Sequence, residues 1–406
     1  MDRVILHCDL NCFYASVELL SRPDLREVPT AVCGDPAARH GIILAKNEPA
    51  KRMGVVTAET IWQAKRKCPD LVLLPPHHHL YGEYSQKVNA VYEQYTDLVE
   101  PFGIDESWLD VTGSLHLFGG DAVALAAELR RRMREELGLT LSVGVSFNKV
   151  FAKLGSDYKK PDATTLISRE NWKDVVWPLP VGALLYVGGA ARRVLEQYGV
   201  TTIGQLAACP AEMLERVLGR LGAQLHGYAN GEDKAPVLSR EQRAPIKSVG
   251  NSTTFDHDLT SWEEIRTGVA VLADSVAMRL RRHGLCAGGV QVGIRGADFK
   301  NISRQKQLPR PTHLMRDITD AALELVHGAW KAPSPVRLLS VTAIHLTPES
   351  EAYEQLDFFS LEAGPRNEKQ EKLERTMDAI RNKYGNGAIA FGAGRLDRRD
   401  DPDDPF

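Results

Sequence analysis

The sequence predicts an α+β protein of several domains, and three observations carry that prediction. A β-α-β-β-α-β order of hydrophobic patterns occurs twice, once over residues 1 to 166 around an insertion and once from Lys247. Between the two, residues 167 to 235 show only short helical patterns separated by glycines. At roughly 100 to 200 residues per domain, a chain of 406 residues has room for about two to four cores.

The first element, V-I-L-H-C-D-L (4 to 10), is a short apolar run closed by an acid and followed by the helical pattern CFYASVELL. The insertion, about 21 to 79, is rich in Pro, Gly and basic residues. Helical spacing returns from Leu80 to Val99, VEPFGIDESWLDVTG (99 to 113) reads as two strands around a turn, and Asp121 to Leu137 reads as a helix. The strand LTLSVGVS and a helix from about Asn148 follow, giving a ferredoxin-like order interrupted by an insertion. The second copy comprises a strand near 247 to 256, a helix over 262 to 283, the strands VQVGIRG and FKNISRQKQL, a helix over 315 to 330 and the strand VRLLSVTAIHL. The implied division is a core of 1–20 and 80–166, an insertion of 21–79, a helical module of 167–235, a linker of 236–246, a second βαββαβ domain of 247–347 and a tail of 348–406.

Six cysteines without a C-x-x-C pair argue against a zinc ribbon or a disulfide framework and for a reducing compartment. No apolar run reaches the length of a membrane span and no signal peptide stands at the start, so a cytoplasmic location is expected. The net charge of −3 argues, taken whole, against nucleic acid. By segment it is +1 for 1–77, −4 for 78–166, +1 for 167–243, +4 for 244–347 and −5 for 348–406. Charge acts locally, so the near-zero total is a cancellation.

Asp9 closes the first strand, and Asp105 and Glu106 stand where two strands meet. In a ferredoxin-like sheet these are neighbours, and three converging carboxylates repel unless a cation sits among them. All-oxygen ligation suits Mg²⁺ or Mn²⁺, and such a set can hold two ions about 4 Å apart for in-line phosphoryl transfer. Adjacent strand residues point to opposite faces, so Asp105 and Glu106 share a site only if the chain bends there. A strand-end turn and a solvated hairpin tip would give the same acids, but Ile104, Trp108 and Leu109 imply a packed hairpin.

CDLNCFYASVE, GIDESWLDVTG and SFNKVFAKLGSDYKKP, in this order and spacing, resemble the motifs of Y-family translesion DNA polymerases, nearest the DNA polymerase IV (DinB) branch, over Ile5 to about Phe359. The resemblance implies palm, fingers, thumb and little-finger domains for the divisions above. It implies that Asp9, Asp105, Glu106 and the Leu10 carbonyl hold two Mg²⁺ ions, with Mn²⁺ a possible substitute. Tyr14 matches the steric gate under the deoxyribose, Phe13 beside it is read as core and counted with Tyr14 in the nucleotide site, and Lys160 matches the lysine that meets the triphosphate. The fingers read A-K-N-E-P-A-K-R where the family has S/T-x-N-Y-x-A-R, so Ala45, Glu48 and Lys51 replace Thr, Tyr and Arg, a form similar to the UmuC branch. Lys51, helped by Lys46, is expected to take over the phosphate contact as a point charge, with Glu48 turned away or paired with Lys46 or Arg52.

LLYVGGAARRVLEQYGVTTIGQL (184 to 206) resembles the thumb helix-hairpin-helix, whose backbone N–H groups bind a DNA phosphate near Gly188; Tyr186 replaces one hairpin glycine. Lys300, Arg304 and Lys306, at even spacing, suit a phosphate track on one face of a strand, as would a solvated edge strand. Gln355, Leu356, Phe358 and Phe359 resemble the peptide that binds the bacterial sliding clamp. Leu373, Met377, Ile380 and Tyr384 mark an amphipathic helix over about 366 to 384, and His77-His78-His79 reads as a solvated loop. The expectation is a monomeric, low-fidelity, template-directed DNA polymerase acting on primer-template DNA and deoxynucleoside triphosphates. Two rivals are a catalytically silent accessory protein that binds clamp and DNA, and a nucleotide cyclase on a similar fold.

Overall fold

A computed structural model describes residues 2–36, 41–352 and 368–391. The chain divides into two compact units, the first reaching Arg243 and the second beginning at Ala244.

In the first unit β1 (Ile5–Leu10) and α1 (Phe13–Ser21) lead into the insertion, which builds its own sheet from β2 (Thr30–Cys33), β3 (Ile43–Lys46) and β4 (Val72–Leu74) in the order β3-β2-β4. Two helices, α2 (Glu48–Arg52) and α3 (Ile61–Lys67), complete it around a small core of Cys33, Ile43, Ala50 and Ala64. The chain returns through α4 (His78–Tyr92), β5 (Val99–Pro101), β6 (Glu106–Asp110), α5 (Ala122–Leu137), β7 (Leu141–Ser146), α6 (Lys149–Tyr158) and β8 (Thr164–Ile167). The sheet order is β5-β6-β1-β7-β8. Its first four strands have the ferredoxin-like arrangement; β8, parallel to β7, is an addition that the sequence patterns did not show.

Strand alternation assigns the two faces of this sheet. Leu6, Cys8 and Leu10 point into the core that α4 and α5 close with Tyr81, Val88, Leu125, Leu129 and Met133. Ile5, His7 and Asp9 point the other way. There α6 crosses the sheet so closely that a Cβ on Gly144 would lie 1.9 Å from the Ala152 oxygen, and Gly155 lies against Gly144. Only glycine permits this approach.

The helical module contains α7 (Trp172–Val176), α8 (Gly189–Gln197), α9 (Ile203–Ala208), α10 (Ala211–Leu218) and α11 (Arg220–Ala229). Residues read as a linker stay with this unit as far as Arg243: Val237 is buried, the Leu238 N–H donates to Glu100 at 2.8 Å and Arg243 donates to the Val99 carbonyl at 2.9 Å.

The second unit runs β9 (Ser248–Leu259), α12 (Trp262–Arg282), β10 (Leu285–Gly296), β11 (Asn301–Thr312), α13 (Met315–Ala329), β12 (Val336–Pro348) and α14 (Glu368–Tyr384). The element order repeats that of the first unit, but the strand order is β11-β10-β12-β9 and every pairing is antiparallel. Val290, Val292, Ile294, Leu339, Val341 and Ala343 face α12 and α13 across one core. Among the described residues no helix is long and apolar enough to cross a membrane.

Candidate active site

The carboxylates expected to converge do so because β1 and β6 are paired neighbours with Asp9 opposite Glu106. The bend required for Asp105 is present: it precedes β6, and its carbonyl accepts the Leu10 N–H at 2.9 Å. Asp9, Leu10, Phe13, Tyr14, Asp105, Glu106, Lys51 and Lys160 all border one cleft of about 570 Å³. Phe13 is 3% exposed and belongs to the core beneath the cleft.

Burial pushes the Asp9 carboxyl up to about 6, against the pull of Lys160, whose Nζ lies 2.7 Å from Oδ2. Asp105 is also raised, first by burial and then by the charge of Asp9. Burial works to lower Lys160, but Asp9 and Asp157, the latter 2.7 Å away, hold its ammonium above the ordinary value. Buried carboxylates that repel one another are relieved by a cation placed among them.

Two participants were missed in the sequence. Lys153, on α6, contacts Glu106 and lies 3.8 Å from Asp9 and 3.7 Å from Asp157. Its signal was the Lys149-Lys153-Asp157 spacing, which puts all three on one face of a helix that otherwise packs on the sheet. His7 is wholly buried behind the cluster. Ser156 Oγ donates to the Lys153 carbonyl at 2.7 Å and so accepts from His7 Nδ1 at 2.8 Å. That leaves Nε2 unprotonated, without a hydrogen-bond partner and 3.4 Å from Glu106 Oε2. Burial and the nearby Lys153 keep this imidazole well below its usual pKa and neutral. His7, Asp9 and Glu106 offer ligand atoms within 4.8 Å of one another. Carboxylate oxygens in such a set fit a hard divalent cation.

Tyr14 lines the cleft half-buried, and burial followed by Asp105 raises its phenol. Its ring stacks on Tyr81, whose hydroxyl donates to the buried Glu18. The histidine triplet is not the solvated loop expected. His77 Nδ1 stands 3.0 Å from both Glu18 oxygens, because a buried carboxylate draws donors to itself, and His78 meets the Tyr14 ring edge-on.

Glu48 neither turns away nor pairs with Lys46 or Arg52. It lines the cleft and pairs with Lys51 at 3.2 Å, since positions three apart on α2 lie on one face. Lys46 donates instead to Thr57 at 2.8 Å. The Cys12 thiol, which burial and Glu48 push up to about 11, donates to Glu48 at 3.5 Å.

Gly188 lies in the helical module as the N-cap of α8, outside the cleft. The basic row of the second unit needs correction. Lys300 precedes β11 and pairs with Asp298 at 3.2 Å. Arg304 and Lys306 lie opposite Val292 and Val290, hence on the helix-covered face, and Lys306 pairs with Glu324 of α13. Even spacing assigns a shared face but not which one; Leu308, of the same parity and packed into the core, decides it. Gln355, Leu356, Phe358 and Phe359 lie outside the described residues.

An acidic cleft at the paired ends of two antiparallel strands, flanked by lysines and a stacked tyrosine, offers oxygen ligands to a hard cation and ammonium groups to an anion. Residues 8–157 match the impB/mucB/samB family and residues 246–358 match that family's C-terminal domain. The chain is 46% identical over 398 residues to DNA polymerase IV of Acetivibrio thermocellus, covering 98% of this chain and 99% of that protein. It is 39% identical over 392 residues to DNA polymerase IV 1 of Bacillus subtilis, covering 97% and 93%. A chimeric Y-family DNA polymerase shares the fold, with a TM-score of 0.75 over 85% of this chain and 99% of its own, at 20% identity. The chain belongs to the impB/mucB/samB family, the Y-family DNA polymerases.

Proposed function

We propose that this chain adds deoxynucleotides to a primer 3′ end under the direction of a template, by two-metal-ion phosphoryl transfer at low fidelity, and so supports synthesis past damaged bases. The observation that carries this reading is the pairing of Asp9 with Glu106, with Asp105 beside them, in one cleft with Tyr14, Lys51 and Lys160. Asp9, Asp105, Glu106 and the Leu10 carbonyl would hold two Mg²⁺ ions, or Mn²⁺ in their place. When bound, such ions acidify the primer hydroxyl and neutralise charge on the leaving pyrophosphate. Lys160 offers an ammonium to the triphosphate, and Lys51 a second as a point charge once it leaves Glu48. Tyr14 presents its ring where a sugar would lie, so that a 2′-hydroxyl is excluded by contact.

DNA would be held outside the cleft by backbone N–H groups at the start of α8, next to Gly188, and by Lys300, which stands just ahead of the edge strand β11. Gln355, Leu356, Phe358 and Phe359 would recruit the enzyme, as a monomer in a bacterial cytoplasm, to a sliding clamp. Primer extension with Mg²⁺ tests the reading. Wild type should extend and Asp105→Ala/Glu106→Ala should not; no extension by wild type overturns the proposal. Unchanged nucleotide KM in Lys51→Ala would remove Lys51 from it.

A further inference from the structure

Two of the three facing carboxylates, Asp9 and Glu106, have lysine counter-charges in the cleft. Lys153 reaches across from α6 to touch Glu106, with Asp9 3.8 Å and Asp157 3.7 Å from the same nitrogen. Lys160 approaches the same Asp9 oxygen at 2.7 Å and the other oxygen of Asp157 at 2.7 Å. The Lys153 side chain is 17% exposed, that of Glu106 16% and that of Asp9 10%, so water screens these charges little. Asp105 has no ion pair among the described residues, so the ammonium sits specifically between the two ligands that face each other across β1 and β6.

The position of Lys153 follows from backbone packing. Gly144 and Gly155 bring α6 against β7, and Asn148 caps the helix by accepting the Phe151 N–H at 2.7 Å. One turn below, Lys149 is anchored by Glu100 at 2.7 Å and by the face of Trp108. Lys153 is thus delivered to the carboxylates by a helix that has little freedom to move away. Its flexible stem still lets the ammonium swing out.

We propose that in the metal-free protein the Lys153 ammonium occupies the place of a divalent cation at Glu106 and Asp9, and that metal entry requires its exchange. Resting on the metal-site reading given above, this makes Lys153 a positioning residue: it keeps mutually repelling ligands together and weakens metal binding to the free enzyme. Asp9 and Glu106 would then hold an ion strongly only once a triphosphate adds its own negative charge to the cleft and offers the displaced Lys153 ammonium a partner.

The test is a Mn²⁺ titration of the nucleotide-free full chain, followed by electron paramagnetic resonance, with Asp9→Asn as the control for site-specific binding. Lys153→Met keeps the stem and removes the charge; it should bind Mn²⁺ on the order of tenfold more tightly than wild type, while its metal-free form melts lower. Lys153→Gln should behave likewise, which guards against a failure of one variant to fold. Lys153→Arg, which retains the cation, should restore the wild-type affinity; a merely structural role for the side chain predicts no such sorting by charge. Equal or weaker Mn²⁺ binding by folded Lys153→Met and Lys153→Gln, with binding still abolished by Asp9→Asn, overturns the exchange. Absence of Asp9-dependent binding in every protein overturns the metal-site reading, and the exchange with it.

Discussion

The ring of Tyr14 lies flat on that of Tyr81, with centroids 4.0 Å apart and planes 10° from parallel. Tyr81 is wholly buried and tethered through its hydroxyl to Glu18, so the upper ring rests on a support that does not yield. If Tyr14 is the proposed steric gate, a ring held this firmly would discriminate by contact. Tyr14→Ala is expected to raise ribonucleotide incorporation on the order of a hundredfold, the scale on which a packed pocket rejects an added hydroxyl. Single-nucleotide insertion with matched deoxy- and ribonucleotides measures it, and unchanged discrimination removes Tyr14 from the role.

Tyr186, ahead of α8, has φ of +69°, a conformation that favours glycine. Its ring is half exposed and meets Tyr228 at 6.2 Å, a loose contact. Left-handed backbone costs a residue with a Cβ about 1 to 2 kcal/mol, partly offset by the freedom that glycine loses on folding. Tyr186→Gly is therefore expected to be about 1 kcal/mol more stable than Tyr186→Ala, which keeps the strain and loses the ring. Urea denaturation of the two variants decides this; equal midpoints would show that the conformation is not strained.

Glu264 at the start of α12 accepts the Thr260 and Ser261 N–H groups, the Ser261 hydroxyl and His257. Led by the Ser261 hydroxyl, these bonds hold its carboxyl down at about 2, from an ordinary 4.5. A depressed acid stabilises the fold above its unfolded pKa. That contribution is lost as pH falls from 4.5 toward 2, since the unfolded carboxyl binds a proton that the folded one refuses. The side chain is 36% exposed, so the effect is on the scale of a helix cap, about 1 kcal/mol or less. The gap in denaturation midpoint between wild type and Glu264→Gln should accordingly narrow between pH of about 6 and about 3; a constant gap would mean that the bonds do not depend on charge.

How far the chain can be read without its structure depends on the reach of each signal. The second unit was legible strand by strand, because its hydrophobic alternation is local. Asp9, Asp105 and Glu106 were legible because acids beside apolar residues demand a partner, and the ferredoxin-like order says which strands meet. Lys153 was overlooked although its spacing was visible: surface lysines at i, i+4 are common, and only the Gly144-Gly155 approach makes this one face the sheet. Even spacing put Arg304 and Lys306 on one face and left open which face that is, because parity leaves the choice to a neighbour, Leu308. The three-stranded sheet of the insertion left no clear pattern, since its strands are only three or four residues long.

The helix α14 shows a related limit, and its attachment is testable. Spacing marked Leu373, Met377, Ile380 and Tyr384 as its inner stripe, yet Leu373 and Tyr384 are exposed and the buried positions are Glu374, Met377 and Arg381. Charge holds it to α12: Arg281 pairs with Glu374 and Asp378, and Arg381 takes both oxygens of Asp274 at 3.0 and 2.8 Å. Glu374 also accepts the Met315 N–H at the start of α13. Buried pairs contribute little net stability when intact, but breaking one strands a charge and costs about 3 to 5 kcal/mol. Arg381→Met should therefore release α14, seen as accelerated hydrogen exchange over residues 368–384. Adding Asp274→Asn should recover much of the protection, because the stranded charge is gone while the amide still bonds. Undiminished protection in Arg381→Met would show that Met377 and the Arg281 pairs alone suffice to hold the helix.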